Sequence, residues 1–309
     1  MISTRVKHSL RREWDQNHMA KVGASLIGLF VLCVVFAPFL APHNPSTQSL
    51  QLALIPPFQT WAHPLGTDQL GRDILSRVIY GARISILVGV LSITVATIIG
   101  TTVGLVSGYK TGWVDDVLMR ITDVFITIPS LMIAVTVFGL IGAIQVEIPD
   151  PLVLVGVAPA TMPESFILPG SIIFALAITS WTTFARVARS EALSVSNEDY
   201  VTASKSIGGS SPHILVKHVL PNSFSSILVL ATLRIGFAIL LESSLAFLGF
   251  SGAEYSWGRD IATGRDYLAS GWWVASVPGF CIVLIVLAVN FLGDWLRDAL
   301  DPNLEDGGS

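Results

Sequence analysis

The sequence predicts an all-α, polytopic membrane protein with six membrane-spanning helices. Three observations carry this reading. The chain of 309 residues is 52% hydrophobic and only 13% charged, about half the charged fraction of a soluble domain. Its mean hydropathy is +0.67, and the apolar residues fall along the whole chain in runs long enough to cross a bilayer core, which takes about 20 residues. The basic residues are dense in some connections and sparse in others, as in loops on the two sides of a membrane. A net charge of −4 gives no reason to expect a nucleic-acid partner. Cys33 and Cys281 each lie inside an apolar run and read as small hydrophobes, with no disulfide or metal motif in view.

Residues 1–21 form a leader carrying Arg5, Lys7, Arg11, Arg12 and Lys21, and residues 22–41 are the first span, closing at Pro38 and Pro42. A basic start and a small-residue end also fit a signal peptide. The long polar leader and full-span length favour an uncleaved anchor. Residues 42–82 are a polar connection containing HPLGTDQLGRDILSR, with a short interfacial helix expected from about Asp73. The second span is 84–107. A turn at 108–112 leads to an interfacial stretch at 113–120, then to the third span at 121–142, in which Pro129 predicts a kink. Arg120 and Asp123 lie near its edge. Residues 143–168 form a second external connection, broken by Pro149, Pro151, Pro159 and Pro163 and bounded by Pro169. The fourth span is 170–188 and the fifth 224–248. Residues 249–275 carry Trp257, Tyr267, Trp272 and Trp273, as at a headgroup belt. The sixth span is 276–296, and an acidic tail follows. The division is therefore 1–82 for the leader, first span and external loop, 83–297 for a five-helix core with a cytoplasmic loop at 189–221, and 298–309 for the tail.

Six spans put both termini on one side. That side carries Arg5, Lys7, Arg11, Arg12, Lys21, Lys110, Arg120, Arg186, Arg189, Lys205, Lys217 and Arg297, against Arg72, Arg77, Arg83, Arg259 and Arg265 on the other. The positive-inside rule places the termini in the cytoplasm.

The same count places residues 191–221, EALSVSNEDYVTASKSIGGSSPHILVKHVLP, on the cytoplasmic side. This is a polar, basic island between apolar runs. Ser196 and Asp199 have the spacing of a helix-capping box, with Glu198 and Asp199 in a first turn. Tyr200, Ala203, Ser204 and Ile207 share one helical face. Gly208 and Gly209 can end that helix, and Ser211 and Pro212 can begin another. A short helix with small residues outward suits docking into another protein's groove; an ordinary structured loop would read the same way.

Several chemistries have no motif. No G-x-x-x-x-G-K-[ST] run occurs, so the chain carries no phosphate-cradling loop of an ATPase. There is no G-x-S-x-G elbow and no H-E-x-x-H pair, so no catalytic residue, cofactor or metal ligand is assigned. His43, His63, His213 and His218 have no partner at ligand spacing and read as solvated or interfacial. Arg234 and Glu242 fall inside the fifth span, where ionisable residues are functional suspects. Eight residues apart, they lie about two turns from each other on nearly one face. Either lines a translocation path or bonds a neighbouring helix or subunit. A proton relay would need more carboxylates in the spans, and no repeat of the kind carriers use is visible, which weighs against an ion-coupled carrier.

The island resembles the cytoplasmic loop of ABC-importer permeases, whose pattern is E-A-A, three residues, G, nine residues, I-x-L-P. Thr202, Ala203 and Ser204 stand in the first three places, Gly208 at the glycine, His218 at the isoleucine, and Leu220 with Pro221 at the end. HPLGTDQLGRDILSRVIYGARIS at 63–85, GWVDDVLMRITDVFITIPSL at 112–131, ESSLAFLGF at 242–250, SWGRDIATGRDYL from 256 and NFLGDWLRDALDP at 290–302 resemble the dipeptide/oligopeptide branch, of the DppC/OppC type. The resemblance implies the type I importer permease (MetI-like) fold and a transport subunit without its own ATPase site. It further implies a homologous second permease, two cytoplasmic ATPase subunits that bind the ATP, and an extracellular binding protein that delivers peptide. The island helix would be the coupling helix, with Tyr200, Ala203, Ser204, Ile207, Gly208, Leu220 and Pro221 at the ATPase contact. Nickel or another metal chelate is the runner-up cargo.

Overall fold

The computed structural model describes residues 13–15 and 17–300. The expectations for Arg5, Lys7, Arg11 and Arg12 and for the tail beyond residue 300 lie outside the described residues.

Helix α1 (His18–Leu40) starts where the Asn17 side chain accepts a hydrogen bond from the Ala20 amide at 2.9 Å, and it holds Pro38 near its end. The connection after α1 then folds back on itself. Asp68 Oδ1 accepts from the Leu70 and Arg72 amides at 2.8 and 2.9 Å, while its Oδ2 pairs with Arg72 Nε at 2.6 Å. Helix α2 (Ile74–Lys110) is capped by Asp73, which accepts from the Ser76 amide. Its 37 residues make a rod of about 55 Å. The separate interfacial helix expected from Asp73 is therefore the first turns of this one helix, because no proline interrupts the sequence where it enters the apolar run and Gly81 there is packed against Trp257.

The third span is a bent pair, α3 (Gly112–Thr127) and α4 (Ser130–Ile141), meeting at 96°. Pro129 lies in the break with extended backbone, which confirms the kink and makes it far sharper than a bend within one helix. The stretch expected to be interfacial, 113–120, belongs to α3. Residues 143–168 fold into an antiparallel hairpin, β1 (Gln145–Pro149) with β2 (Ser165–Pro169), in which Glu147 faces Ile167. The one-turn helix α5 (Pro151–Leu154) sits at its tip, capped by Asp150.

Helix α6 (Gly170–Val195) packs along α2 over most of its length. A Cβ placed on Gly100 or Gly104 would lie 2.2 Å from the carbonyl oxygen of Trp181 or Ala185, and one on Gly108 would lie 2.6 Å from that of Arg189. Three glycines four residues apart thus let two backbones touch. After the island comes α9 (Leu220–Phe247), then α10 (Trp257–Gly264) and α11 (Trp273–Leu300). Five helices are long and apolar enough to cross a membrane, or six spans with the bent pair as one. The molecule is a mostly helical, multi-pass membrane protein.

Ion pairs, the first two of them buried, tie the elements together. Arg77 of α2 binds Asp260 of α10, and Arg83 of α2 binds Asp150 beside the hairpin. Arg189 of α6 holds both carboxylate oxygens of Asp115 in α3 at 2.6 Å. Trp257 is fully buried and donates its indole N–H to the Val78 carbonyl at 3.0 Å.

Candidate functional site

The island folds as a helix–turn–helix seated on the core. Helix α7 (Asp199–Ser206) has Glu198 at its N-cap position with no side-chain cap. The capping box expected from Ser196 does not form. Helix α6 runs on to Val195, so Ser196 closes that helix instead, its amide bonded to the Ala192 carbonyl. The other end of α7 follows expectation. Gly208 has φ +85°, its amide bonds to the Lys205 carbonyl at 3.0 Å, and the Gly209 amide reaches the Ser204 carbonyl at 2.9 Å. These two bonds form the Schellman closure, which needs a left-handed residue at the Gly208 position.

Three contacts seat α7. Val201 is completely buried in the cluster formed by Ala188, Ala192 and Val195 of α6 with Ile214 and Val219. Lys205 Nζ lies 5.1 Å over the ring of Tyr109, at the end of α2. The Tyr200 ring lies 5.8 Å from His218, which in turn meets His213 edge-on. With Val201 inward, the opposite face is free. Tyr200, Ala203 and Ile207 are exposed, Ile207 at 88%, and Ser204 is half-buried. Sequence reasoning picked out the outward face and missed Val201, the anchor, although it is the one β-branched apolar residue in a polar turn.

The chain returns through α8 (Ser211–Ile214) and a π-helical turn at Leu215–Val219 directly into α9. The fifth span is therefore one continuous helix from 211, not one beginning near 224. Pro221 explains the widened turn. It offers no N–H to the Lys217 carbonyl and crowds it, while the Leu220 amide reaches back to Leu215. Leu220 is half-buried and Pro221 exposed.

Arg234 and Glu242 face different neighbours. Glu242 is 1% exposed and accepts hydrogen bonds from the hydroxyls of Ser85 and Ser243, both at 3.3 Å. Arg234 is half-buried, donates to Thr183 Oγ1 of α6 at 2.7 Å, and lies 5.4 Å over Phe237. No carboxylate lies within ion-pairing distance of it among the described residues. His43 and His63 also depart from expectation. His43 and His63 stack with ring centroids 4.7 Å apart, and His63 contacts Asp73.

The fold defines a polytopic membrane protein with a short helical excursion between two of its long apolar helices. The chain belongs to the family described as "binding-protein-dependent transport system inner membrane component", which its residues 100–306 match. Residues 10–57 match the N-terminal transmembrane domain of oligopeptide transport permease C. The chain is 37% identical to the "di/tripeptide transport system permease protein DppC" of Pseudomonas aeruginosa, over 96% of this chain and 93% of that one. It is 36% identical to the "dipeptide transport system permease protein DppC" of Alkalihalophilus pseudofirmus, over 95% and 89%. Among solved structures, the inward-facing MetNI methionine ABC transporter aligns with a TM-score of 0.55 at 16% identity, over 74% of this chain and 98% of that one, a likeness of fold.

Proposed function

We propose that this chain is the transmembrane permease subunit of an ATP-driven importer that carries di- or oligopeptides into the cell. In this reading it pairs with a homologous second permease, receives cargo from an extracellular binding protein, and is moved by two cytoplasmic ATPase subunits that hold the nucleotide. The peptide cargo rests on the relatives' names. The mechanical role rests on one observation: α7 is a short helix fastened inward by Val201 and ended abruptly at Gly208, with Tyr200, Ala203 and Ile207 left outward. A fastened helix transmits a push to the spans, where a slack loop would absorb it. The ATPase contact would comprise that face with Ser204 and Gly208, flanked by Leu220 and Pro221. The charge asymmetry of the loops supports a cytoplasmic position for this surface and for both termini.

The peptide reading is preferred to a metal chelate. The one His/Asp cluster found among the described residues lies outside the spans, at 43, 63 and 73.

The test is Gly208→Asp. The space around Gly208 is open, so the damage comes from φ +85°, which costs a side-chain-bearing residue about 1–2 kcal/mol, and from a charge on the docking surface. The variant should insert normally, yet lose peptide uptake and peptide-stimulated ATP hydrolysis in the reconstituted complex. Wild-type values for both would refute the assignment.

A further inference from the structure

The external connection between α1 and α2 brings together three side chains that lie far apart in sequence. A ring nitrogen of His43, a ring nitrogen of His63 and a carboxylate oxygen of Asp73 all lie within 4.8 Å of one another. They line a cavity of about 200 Å³ whose wall also includes Asn44, Thr47 and Ser49. His63 is 8% exposed and Asp73 1%.

The groups are held in place by hydrogen bonds, and that of His43 leaves a nitrogen lone pair available. His43 Nε2 lies 2.8 Å from the Ala62 carbonyl oxygen. A carbonyl only accepts, so this contact fixes the proton on Nε2 and leaves Nδ1 with a lone pair. The backbone of His43 is fixed as well, its amide donating to Ser76 Oγ at 3.0 Å while that hydroxyl donates to Asp73 Oδ2 at 2.7 Å. Asp73 Oδ2 also receives the Ser76 amide. Its Oδ1 faces His63 Nδ1 at 3.0 Å. The neighbouring arginines are committed elsewhere, Arg72 to Asp68 and Arg77 to Asp260, so the Asp73 charge is not spent on them.

We propose that His43, His63 and Asp73 form a binding site for a divalent transition-metal cation of the zinc class. Two imidazoles and one carboxylate are a zinc ligand set, with bonds of about 2.0–2.2 Å. In a tetrahedral complex with such bonds, neighbouring ligand atoms stand about 3.3 Å apart. The His63–Asp73 separation is within a few tenths of an ångström of that edge, so the cation takes the place of the shared proton, the His63 ring carries its hydrogen on Nε2 instead, and no net proton is lost from the neutral imidazole. His43 supplies the third ligand by a small ring movement, and water fills the fourth position from the cavity side. The Ala62 carbonyl and Ser76 are the outer partners that orient ligands in metal sites. Bound metal would clip the residue just after α1, the middle of the connection and the capping residue of α2 into one unit.

The proposal stands apart from the transport reading, and its test reads metal rather than uptake. Full-length protein, stripped with chelator and purified in detergent, is titrated with Zn²⁺ against a competing indicator. One Zn²⁺ per chain is expected. His43→Gln or His63→Gln should each weaken binding by about tenfold or more, as expected when a metal ligand is lost, while the cytoplasmic-island variant His213→Gln should bind like wild type. Zn²⁺ should raise the melting temperature of wild type and not of the double variant, since only binding to the folded state stabilises it. If the variants fold poorly, Co²⁺-loaded wild type decides the matter through the intense visible bands of a tetrahedral site. Absence of stoichiometric binding, of those bands, or of any difference between the His63 and His213 variants would overturn the proposal.

Discussion

Gly104→Ala tests the contact that holds α2 and α6 together. A Cβ at this position would stand 2.2 Å from the Ala185 carbonyl oxygen and 2.7 Å from Ala188 Cβ. Neither obstacle can rotate away, because one is backbone and the other is the first atom of a side chain. Non-bonded heavy atoms prefer about 3.5–4.0 Å, so α2 and α6 must part by about 1 Å here. The same displacement would loosen Gly100 against Trp181 and Gly108 against Arg189, which share the seam. Overpacking of this kind costs about 1–3 kcal/mol, offset by up to about 1 kcal/mol because alanine is the better helix former. The expected net loss is about 1–2 kcal/mol, and the melting temperature of the detergent-purified protein should fall by roughly 5 °C. Gly139→Ala is the control. It also lies inside a helix, but nothing stands within 4 Å of its Cβ position, so it should melt at or slightly above wild type. If Gly104→Ala melts as high as Gly139→Ala, the close approach of these backbones is not what limits the packing.

Arg83→Leu should leave the Asp150 carboxylate, which is 1% exposed, buried without its ion-pair partner, at a cost of about 3–5 kcal/mol. The readout is protease cleavage between residues 145 and 169, which should quicken as the hairpin loosens; unchanged resistance would refute the pairing. Arg234→Leu removes the 2.7 Å bond to Thr183. If Arg234 lines the peptide path, uptake should change while the subunits still assemble, whereas loss of assembly would make it a structural bond.

What the sequence revealed, and what it hid, divides along physical lines. The spans were visible because about 20 apolar residues in a row have few other uses. The break at Pro129 was visible because proline disrupts the local hydrogen-bond ladder. Gly208 was visible for a similar reason: a glycine after a polar helical turn signals a left-handed end. Features that depend on distant partners were not visible. Arg77 and Arg83 counted as external charges in the sequence, yet each is buried against a carboxylate, on α10 and beside the hairpin. Ser196 had the spacing of a cap, but the preceding helix ran on and claimed it. The seam at Gly100, Gly104 and Gly108 carried a legible signal, small residues four apart in an apolar run, that hydropathy reading passed over. His43, His63 and Asp73 had no recognisable spacing at all, because the connection that gathers them has no regular period.

These placements bear on how a push at α7 would travel. Val201 anchors α7 to the end of α6 and to the turn that leads into α9, and Lys205 reaches Tyr109 at the end of α2. The elements under the helix are therefore α2, α6 and α9, and the glycine seam locks the first two backbone to backbone. A force applied at the outward face of α7 cannot be lost by sliding between them without opening that seam. The bent pair is joined differently. Its α3 arm is held to α6 by the Arg189–Asp115 fork, and its α4 arm meets α6 through side chains alone, Leu131, Ala134 and Phe138 against Ile172 and Leu176, with no glycine seam to lock the two backbones. It follows that α2, α6 and α9 would move as one block while α3 and α4 adjust around the break at Pro129. A cross-link across α2 and α6 should then leave the proposed transport cycle intact, while one pinning α4 to α6 should stop it; the reverse pattern would show that the seam itself must open.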